Sequence, residues 1–383
     1  MKLIYIANSR IPTEKAHGFQ IMKMCEAFSN AGIKLELWIP KRFNSINENP
    51  FKYYDIREKF HIKKMAVFDL IPLSKFLGPI ANFVESISFS LFALAHLSET
   101  EADIIYSRDQ FMLWSLSFSK RKFVYEIHSF PGRPGFYRRV WRKAHRIITI
   151  TQGLKDLLVK QGINPDKITV APDGVDLATF IAVDQSKDEL RVELGLPQEN
   201  FLIGCIGRFK TLGMEKGIKT MIEALPILDK DVKMIFVGGE DSEIRDYKAL
   251  ANRFNVLTQC LFVDYQPYAK AVKYIKAMDA LVIPFPNRPH YAFYASPLKL
   301  FEYMASGNPI IASDLPALRE ILNEKNALFF KPEDASDLAR AINMLKSSQM
   351  LGYHLSQQAS ADVKKYTWQE RANRILKFIK ADD

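Results

Sequence analysis

The sequence lacks a disulfide framework and any obvious metal-ligand spacing. Three cysteines, Cys25, Cys205 and Cys260, are scattered over 383 residues, and neither they nor the seven histidines form the paired spacing of a structural metal site. These absences favour a cytoplasmic protein in a reducing compartment, and we expect no essential metal.

Long uninterrupted apolar runs are also missing. The opening "MKLIYIANSR" has an apolar run too short for a signal-peptide core and no small-residue cleavage site, so we expect a first buried strand. The most apolar stretch, residues 76–97, is interrupted by Glu85, by serines and by His96, which a bilayer would penalise. We expect a largely buried helix there rather than a membrane span.

Acidic residues are scarce in the first half of the chain. The net charge is +10, and residues 1–180 contain 26 Lys/Arg against 17 Asp/Glu, which places +9 of it there. The segment Arg133 to Arg146, "RPGFYRRVWRKAHR", has six basic residues, no acidic ones and three interleaved aromatics. It indicates either a solvated helix face or a contact with an anionic membrane surface. No nucleic-acid-binding motif accompanies it, and we expect no nucleic acid partner.

Short apolar strands alternate with helical patterns along the whole chain. "LIYIA" precedes "GFQIMKMCEAFSNAG", and after a polar stretch the alternation restarts with "FLIGCIG" and "EKGIKTMIEALPIL". This predicts an α/β fold of two Rossmann-like doubly wound domains facing across a cleft. We expect domains at 1–180 and 181–365, with an amphipathic terminal helix at 366–383 packing back toward the N-terminal domain.

Ligands of such domains bind in loops that follow strands, and one such loop combines glycine with fixed cations. The predicted strand Phe201 to Ile206 ends at Gly207 and Arg208, and a helix is predicted to begin near Lys216. Glycine backbone, a helix amino terminus and two cations suit a diphosphate. The alternative is a solvated pair beside an ordinary turn. The spacing of a P-loop is absent, which disfavours a P-loop hydrolase.

Four segments carry a resemblance to a known family. They are "ITQGLKDLLVKQGINPDKITVAPDGVDLATF", "GRFKTLGMEKG", "SPLKLFEYMASGNPIIASDLPALREIL" and "YTWQERANRIL". Together they resemble the family-four retaining nucleotide-sugar-dependent glycosyltransferases of GT-B fold, over almost the whole chain and in the family's order. The resemblance implies an acceptor-binding N-terminal domain and a nucleotide-sugar-binding C-terminal domain.

The resemblance assigns donor-binding roles in the second domain. It implies that Arg208 and Lys216 bind the donor diphosphate, although the intervening "FKTLGMEK" is longer than usual and lets Lys210 compete with Lys216. Glu302 matches the glutamate that accepts hydrogen bonds from the donor ribose. The alternative for Glu302 is a helix-surface carboxylate, but its apolar neighbours leave little polar face. The helix start before it contributes Ser296, Leu298 and Lys299, with Pro297 expected in the first helical turn.

One position departs from the family pattern. The family has a first glutamate, separated from the second by seven residues, that faces the transferred sugar; here that position is Tyr294. A phenol cannot supply a carboxylate's charge, so the departure weakens the expectation for sugar chemistry more than that for nucleotide binding.

Candidate residues in the first domain also follow predicted strands. The resemblance places His128 against the transferred sugar, with a satisfied structural histidine as the alternative. It places Gly18, after His17, beside donor phosphate or acceptor. Arg108 and Asp109 follow another strand and are expected to face the same cleft, as possible contacts for the sugar or the acceptor. Capping of the next helix is an equal alternative for this pair.

These assignments predict a retaining, metal-independent glycosyltransferase of the hexosyltransferase type, acting on a glycan, glycolipid or polysaccharide precursor. It would be cytoplasmic, with a peripheral membrane position at the inner face as one alternative. The metal-binding pattern "DKD" at Asp229 to Asp231 is predicted to lie at the amino end of a strand and to be a solvated turn. A nucleotide-sugar 2-epimerase and an inactive binding module stay open. The base, the sugar and the acceptor are not specified by the sequence.

Overall fold

The computed structural model describes residues 1–56, 60–211 and 213–381, and these form two compact units. The first unit comprises Met1–Asp173 with Trp368–Asp383, and the second comprises Gly174–Thr367. The sequence predicts these two boundaries after residues 180 and 365, seven residues later and two residues earlier than the structure places them.

The described part of the first unit is built on a seven-stranded sheet in which every pairing is parallel. Its strands are β1 (Lys2–Ile6), β2 (Lys34–Pro40), β3 (His61–Met65), β4 (Ile104–Ser107), β5 (Phe123–Ile127), β6 (Arg146–Thr149) and β7 (Ile168–Val170). The strand order β3-β2-β1-β4-β5-β6-β7 reverses between β1 and β4. Parallel strands are buried on both faces by helices, which explains the short, continuous apolar runs in the sequence.

Helices connect these strands. They are α1 (Ala16–Asn30), α2 (Pro50–Tyr53), α3 (Ser74–Leu77), α4 (Pro79–Ser98), α5 (Gln110–Leu116), α6 (Pro134–Lys143) and α7 (Gln152–Lys160), with 3₁₀ turns at Ile71–Leu73 and Pro165–Lys167. Side-chain caps begin several of them: Asp109 accepts from the amide of Met112 at 2.8 Å at the start of α5, as N-cap carboxylates do.

The second unit repeats the plan. Its described strands are β8 (Phe201–Ile206), β9 (Lys210–Thr211), β10 (Met214–Glu215), β11 (Val232–Gly239), β12 (Cys260–Asp264), β13 (Ala280–Ile283), β14 (Ile310–Ser313) and β15 (Leu328–Phe330). Six of them form a parallel sheet of order β12-β11-β8-β13-β14-β15, while β9 and β10 form a separate hairpin. Leu202 and Ile206 of β8 enter one apolar cluster and Ile203 and Cys205 enter another. The sheet is therefore buried on both faces.

The helices of the second unit are α8 (Leu177–Ile181), α9 (Lys187–Leu194), α10 (Ile218–Ala224), α11 (Asp241–Arg253), α12 (Tyr268–Lys276), α13 (Leu298–Ala305), α14 (Pro316–Arg319), α15 (Ala335–Ser347) and α16 (Gln349–Asp362). A π-turn at His290–Tyr294 precedes α13, and 3₁₀ turns occur at Leu225–Ile227, Leu257–Gln259 and Val363–Tyr366.

The terminal helix α17 (Trp368–Ile379) belongs to the first unit. Its predicted amphipathic face is confirmed, since the residues expected on that face are all buried: Trp368, Ala372, Ile375, Leu376 and Ile379. Arg146 is buried too; it donates to the carbonyl of Phe378 at 3.1 Å and stacks over the Phe378 ring. The basic segment 133–146 is therefore solvated only in part, because Arg146 and Trp141 belong to the interior.

The prediction of a largely buried helix at 76–97 is wrong for one face of α4. Within the described residues α4 is the single helix that is long and apolar enough to cross a membrane by length and composition, and 39% of its most apolar window is buried. Its inner side is fixed by Glu85, which is 1% exposed and accepts from the Arg42 Nε at 2.7 Å. Several of its outward apolar side chains are exposed.

Candidate functional site

Both sheets have a point where the strand order reverses, and the candidate residues cluster there. In the second unit the reversal lies between β8 and β13. Loops that leave neighbouring strands in opposite directions open a crevice at the carboxyl edge, where α/β proteins bind ligands. The loop after β8 contains Gly207 and Arg208, and the segment after β13 leads to α13.

Gly207 lets the backbone turn away from the sheet directly beneath a lysine. Its φ is +115° and its amide donates to the carbonyl of Val237 at 2.8 Å. A Cβ at Gly207 would lie 3.4 Å from Lys299 Cε and 3.6 Å from Lys299 Nζ. A positive φ and this close approach both favour glycine. Gly207 and Lys299, which the sequence identifies separately as candidate binding residues, are thus neighbours in space.

The long segment between Arg208 and Lys216 folds as a hairpin. Thr211 pairs with Met214 and Lys210 with Glu215, while Leu212 in the hairpin lies outside the described residues. Beyond the hairpin, the Lys216 amide donates to the carbonyl of Phe209 at 3.1 Å. The extra residues therefore loop out, and the Lys216 backbone returns beside the start of the loop.

The hairpin separates the two competing lysines. The Lys210 ammonium lies 3.8 Å from a carboxylate oxygen of Glu243. Lys216 instead lies among cations: its pKa is lowered to about 7, first by burial and then by repulsion from Lys299, with Arg208 contributing less. Such mutual repulsion is relieved when an anion binds. The arrangement favours Lys216 over Lys210 as the diphosphate ligand.

Arg208 lies at the exposed rim of this cluster. Its Nη1 donates to Glu240 at 3.2 Å, in a pair that is exposed on both sides. Exposed pairs of this kind contribute little to stability, so an incoming phosphate can replace Glu240 at small cost.

Helix α13 supplies Lys299, the third cation of the cluster that includes Arg208 and Lys216. Tyr303 fixes it to β8: its hydroxyl accepts from the Ile206 amide at 2.8 Å and donates to the Ile206 carbonyl at 3.2 Å. Pro297 precedes the helix as its N-cap rather than lying in the first turn, and Ser296 and Leu298 flank it. Lys299 is buried, with Nζ 3.8 Å from the Cys205 sulfur.

Glu302 lies one turn beyond Lys299 on α13. Burial raises the pKa of Glu302 to about 7, against the attraction of Lys299. No hydrogen bond to its carboxylate is formed by another side chain or amide in the described ranges. It is therefore a half-buried carboxyl group with unused acceptor capacity, which is unusual for such a group and suits recognition of a hydroxyl-bearing ligand.

Tyr294 ends the π-turn four residues before α13. It is half-buried and lies beside Phe293, with ring centroids 6.5 Å apart. The structure thus places a phenol ahead of the donor helix, at the position where the resemblance implies a carboxylate.

In the first unit the strand order reverses between β1 and β4, and a buried carboxylate lies close to that point. Glu126, on β5, is fully buried and accepts from Gln20 at 2.8 Å, from His128 Nε2 at 2.5 Å and from Arg371 of α17 at 3.0 Å through one oxygen. Tyr106 donates to its other oxygen. Burial alone would raise the pKa of Glu126, but Arg371, His128 and Arg108 hold it well below its usual range.

This ionised carboxylate orients His128. A carboxylate only accepts hydrogen bonds, so the proton of the neutral imidazole lies on Nε2 and Nδ1 is left as the acceptor. Burial, and then the charge of Arg108, lower the pKa of His128 although Glu126 opposes them. His128 is therefore a neutral imidazole with a fixed tautomer near neutral pH.

The remaining candidates of the first unit divide into two groups. Arg108 donates to Gln20 at 2.9 Å, and burial, followed by the charges of Arg108 and Lys15, lowers the pKa of His17 to about 4. Asp109 instead caps α5, which is the alternative role considered for it. Gly18 is explained by packing, since a Cβ there would lie 2.4 Å from both Thr13 Cγ2 and the Tyr54 hydroxyl.

The Asp229 to Asp231 pair has a structural partner. Both carboxylates accept from Lys346 at 2.7 Å, and Val232 begins β11 directly afterwards. The pair thus lies at the amino end of its strand. Among the described residues no group of three or more His, Cys, Asp or Glu side chains is placed to hold a metal ion.

Sequence reasoning missed the centre of the first-unit site. It identified His128 but not Glu126, Gln20, Arg371 or the buried Asp173, whose Oδ1 lies 4.0 Å from Arg371 Nε. The one signal for Glu126 is a charged residue inside the otherwise apolar strand "FVYEI". A buried carboxylate needs a partner, but the partner, Arg371, is 245 residues away along the chain.

Comparison with known proteins identifies two family models along the chain. Residues 19–179 match the family model "Glycosyltransferase Family 4", and residues 200–348 match "Glycosyl transferases group 1". The two matches together span more than half of the chain, with one in each unit.

Individual relatives are more distant. A D-inositol 3-phosphate glycosyltransferase of Xylanimonas cellulosilytica is 27% identical over 230 residues, 58% of this chain and 53% of that protein. A phosphatidyl-myo-inositol mannosyltransferase of Mycolicibacterium smegmatis is 28% identical over 224 residues, 57% of this chain and 52% of that protein. The chain thus aligns with about half the length of these curated relatives.

The fold extends the similarity to the whole chain. The crystal structure of Anabaena Alr3699/HepE in complex with UDP superposes with a TM-score of 0.74 at 17% identity and covers 100% of both chains. The two-domain Rossmann-like fold predicted from the sequence is confirmed. From the paired family matches and this fold, the chain belongs to the family-four type of GT-B glycosyltransferases.

Proposed function

We propose that the protein transfers a sugar from a nucleoside-diphosphate sugar to a hydroxyl acceptor, with retention of the anomeric configuration. The observation that carries the proposal is the cationic cluster at the reversal point of the second sheet. There Lys299 lies over Gly207, and Lys216 is close enough to both Lys299 and Arg208 for their charges to interact. Three cations at a glycine backbone match the charge of a diphosphate.

The chemistry follows from where charge develops. As the glycosidic bond breaks, the departing nucleoside diphosphate gains negative charge, and preorganised cations stabilise it. Arg208, Lys216 and Lys299 supply this stabilisation, so we propose that no metal ion is required. In a retaining reaction on one face of the sugar, the leaving phosphate oxygen also takes the acceptor's proton.

Glu302 and His128 are assigned supporting roles. Glu302 accepts hydrogen bonds from the donor ribose, because its carboxylate has unused acceptor capacity one helical turn from Lys299. His128 contacts the transferred sugar as a neutral imidazole whose tautomer is set by Glu126. Tyr294 is a further candidate for contact with the sugar.

A donor screen tests the proposal. Purified protein is incubated with UDP-, GDP- and ADP-sugars, with and without acceptor and chelator, and the products are followed by nuclear magnetic resonance. UDP is the first base to test, since structures of the neighbour HepE contain it. Expected is an axial product anomer from an axial donor, unaffected by chelator. A 2-epimerase would instead release an altered sugar without acceptor. No turnover of any donor, with nucleotide binding unchanged in Arg208→Ala and Glu302→Ala, would refute the proposal.

Donor affinity should depend on pH in a bell-shaped manner, with a maximum near pH 7. The pKa of Lys216 and that of Glu302 are both about 7 in the free protein. Binding favours protonated Lys216 and ionised Glu302, so affinity falls above pH 7 as Lys216 loses its proton and below pH 7 as Glu302 gains one. Each limb should approach about tenfold per pH unit. Calorimetric titration with UDP-glucose, whose phosphates stay ionised, measures it.

Single substitutions identify which group produces each limb of the pH profile of donor affinity. Lys216→Arg keeps its charge at high pH and should remove the alkaline limb, whereas Glu302→Gln should remove the acidic limb. Affinity that is flat from pH 5.5 to 8.5, about 1.5 units on either side of the expected maximum, would contradict the assignment of both groups.

A further inference from the structure

Helix α4 presents an apolar face to solvent. Ile80, Phe83, Ile87 and Leu91 are 62%, 53%, 37% and 60% exposed, and their spacing places them on one side of the helix. The opposite side is held by Glu85, which binds Arg42 and accepts from Asn8 at 3.2 Å. The helix is thus fixed to the first unit by its inner side, with its apolar side uncovered.

The apolar surface continues across the next two helices. The Phe83 ring lies 5.7 Å from that of Phe111 on α5, and Trp114 on α5 stacks with Phe136 on α6 at 5.9 Å and meets Phe118 at 4.9 Å. We call these five side chains, Phe83, Phe111, Trp114, Phe118 and Phe136, the aromatic face. Each is exposed by 39% or more.

A groove adjoins the aromatic face. It has a volume of about 480 Å³ and lies between Phe68 and the exposed side of α4. Ser88 is the one lining residue with a polar side chain, and its hydroxyl is already bonded to the Phe68 amide and the Glu85 carbonyl. The groove therefore offers apolar contact rather than hydrogen bonds.

Basic residues border the aromatic face on its α6 side. The Arg139 guanidinium lies 4.0 Å from the centre of the Phe118 ring, and Lys143 follows one turn later on the same exposed side of α6. Residues 110–122 and 133–146, which include α5 and α6, contain no Asp or Glu. Exposed aromatic side chains beside exposed cations are complementary to a surface that has an apolar interior and anionic groups above it.

We propose that the aromatic face docks on a bilayer containing anionic phospholipids. The aromatic rings and the exposed side of α4 would enter the headgroup–acyl boundary, while Arg139 and Lys143 contact phosphates. The bound state is monotopic because the inner side of α4 carries the buried Glu85–Arg42 pair. This inference goes beyond the proposed transfer reaction and favours acceptors held at a membrane.

Trp114 provides an intrinsic probe. Of the four tryptophans, Trp38, Trp141 and Trp368 are buried, and Trp114 is 40% exposed. Mixing the protein with vesicles of phosphatidylcholine and phosphatidylglycerol should shift its emission to shorter wavelength, and Trp114→Phe should abolish the shift. Vesicles of phosphatidylcholine alone should give at least about tenfold weaker binding, and salt should weaken binding to the anionic vesicles.

Matched variants distinguish binding through this surface from non-specific adsorption to vesicles. Phe83→Gln with Leu91→Gln, and Arg139→Glu with Lys143→Glu, should each weaken vesicle flotation by at least about tenfold. Met350→Gln with Tyr353→Gln, and Arg245→Glu with Lys248→Glu, make the same changes on exposed residues of the second unit and should leave flotation unchanged. Circular dichroism checks that each variant is folded.

Two results would overturn the proposal. The first is equal flotation of the wild type and of both aromatic-face variants. The second is a wild type that does not bind vesicles but self-associates, as detected by light scattering, with the self-association abolished by Phe83→Gln with Leu91→Gln. That second result would assign the aromatic face to another copy of the chain.

Discussion

Replacing Lys216 with alanine should lower the rate of sugar transfer by about 100- to 1000-fold. Burial and then repulsion from Lys299 lower the pKa of Lys216, and an approaching diphosphate offsets both effects. Because the leaving group is more negative in the transition state than in the bound donor, kcat should fall in addition to the donor affinity.

The hairpin offers a matched control for this prediction. Lys210 is a neighbouring lysine on the same loop, but its ammonium faces Glu243 at 3.8 Å. Lys210→Ala should leave kcat within about twofold, because it removes an exposed lysine whose partner is Glu243 rather than the diphosphate. Initial rates at saturating donor compare the two variants. Equal losses, or a larger loss for Lys210→Ala, would show that the hairpin does not deliver Lys216 to the diphosphate.

Replacing Glu126 with glutamine should destabilise the first unit by about 3–5 kcal/mol. The change removes the negative charge that compensates Arg371, which is 3% exposed and also donates to the carbonyls of Ala171 and Pro172. The buried guanidinium keeps its charge and is left with the more distant Asp173, whose Oδ1 lies 4.0 Å from Arg371 Nε, in place of Glu126. Hydrogen exchange of β1, β4 and β5 measures the loss within this unit.

A double substitution distinguishes stability from orientation. Arg371→Met alone should destabilise by a similar amount, whereas Glu126→Gln with Arg371→Met should recover much of the loss, because both charges of the Glu126–Arg371 pair are then removed together. The His128 tautomer should not recover, since glutamine can also donate to Nε2. The nitrogen chemical shifts of the His128 imidazole report which ring nitrogen carries the proton. If the double variant is as unstable as the sum of the single ones, the ion pair is not what couples these residues.

The donor half of the site could be largely predicted from the sequence. A glycine-arginine pair directly after an apolar strand is a local signal, and its place at the strand-order reversal follows from the alternation of strands and helices. The position of Lys216 could not be predicted, because a two-residue strand pairing decides whether the seven residues between Arg208 and Lys216 extend or fold back. Short pairings of this kind depend on the surrounding packing.

The buried cluster around Glu126 in the first unit could not be predicted from the sequence, for a different reason. Glu126, Gln20 and Arg371 come from a strand, the first helix and the last helix, and no spacing connects them. The exposed side of α4 was missed because its composition resembles that of a core helix. Apolar residues occupy both sides of that helix, so composition alone does not show which side is covered.

The return of the chain to the first unit has a practical consequence. The whole of Gly174–Thr367 is inserted into a domain whose last piece is α17, and the two ends of the insert lie side by side: the Val175 amide donates to the carbonyl of Tyr366 at 2.9 Å. A fragment ending at residue 173 would leave Glu126 without its guanidinium and should fold poorly. A gene in which a short glycine-rich linker replaces residues 176–365 keeps that partner, so the N-terminal half can be studied alone only by excision, not by truncation.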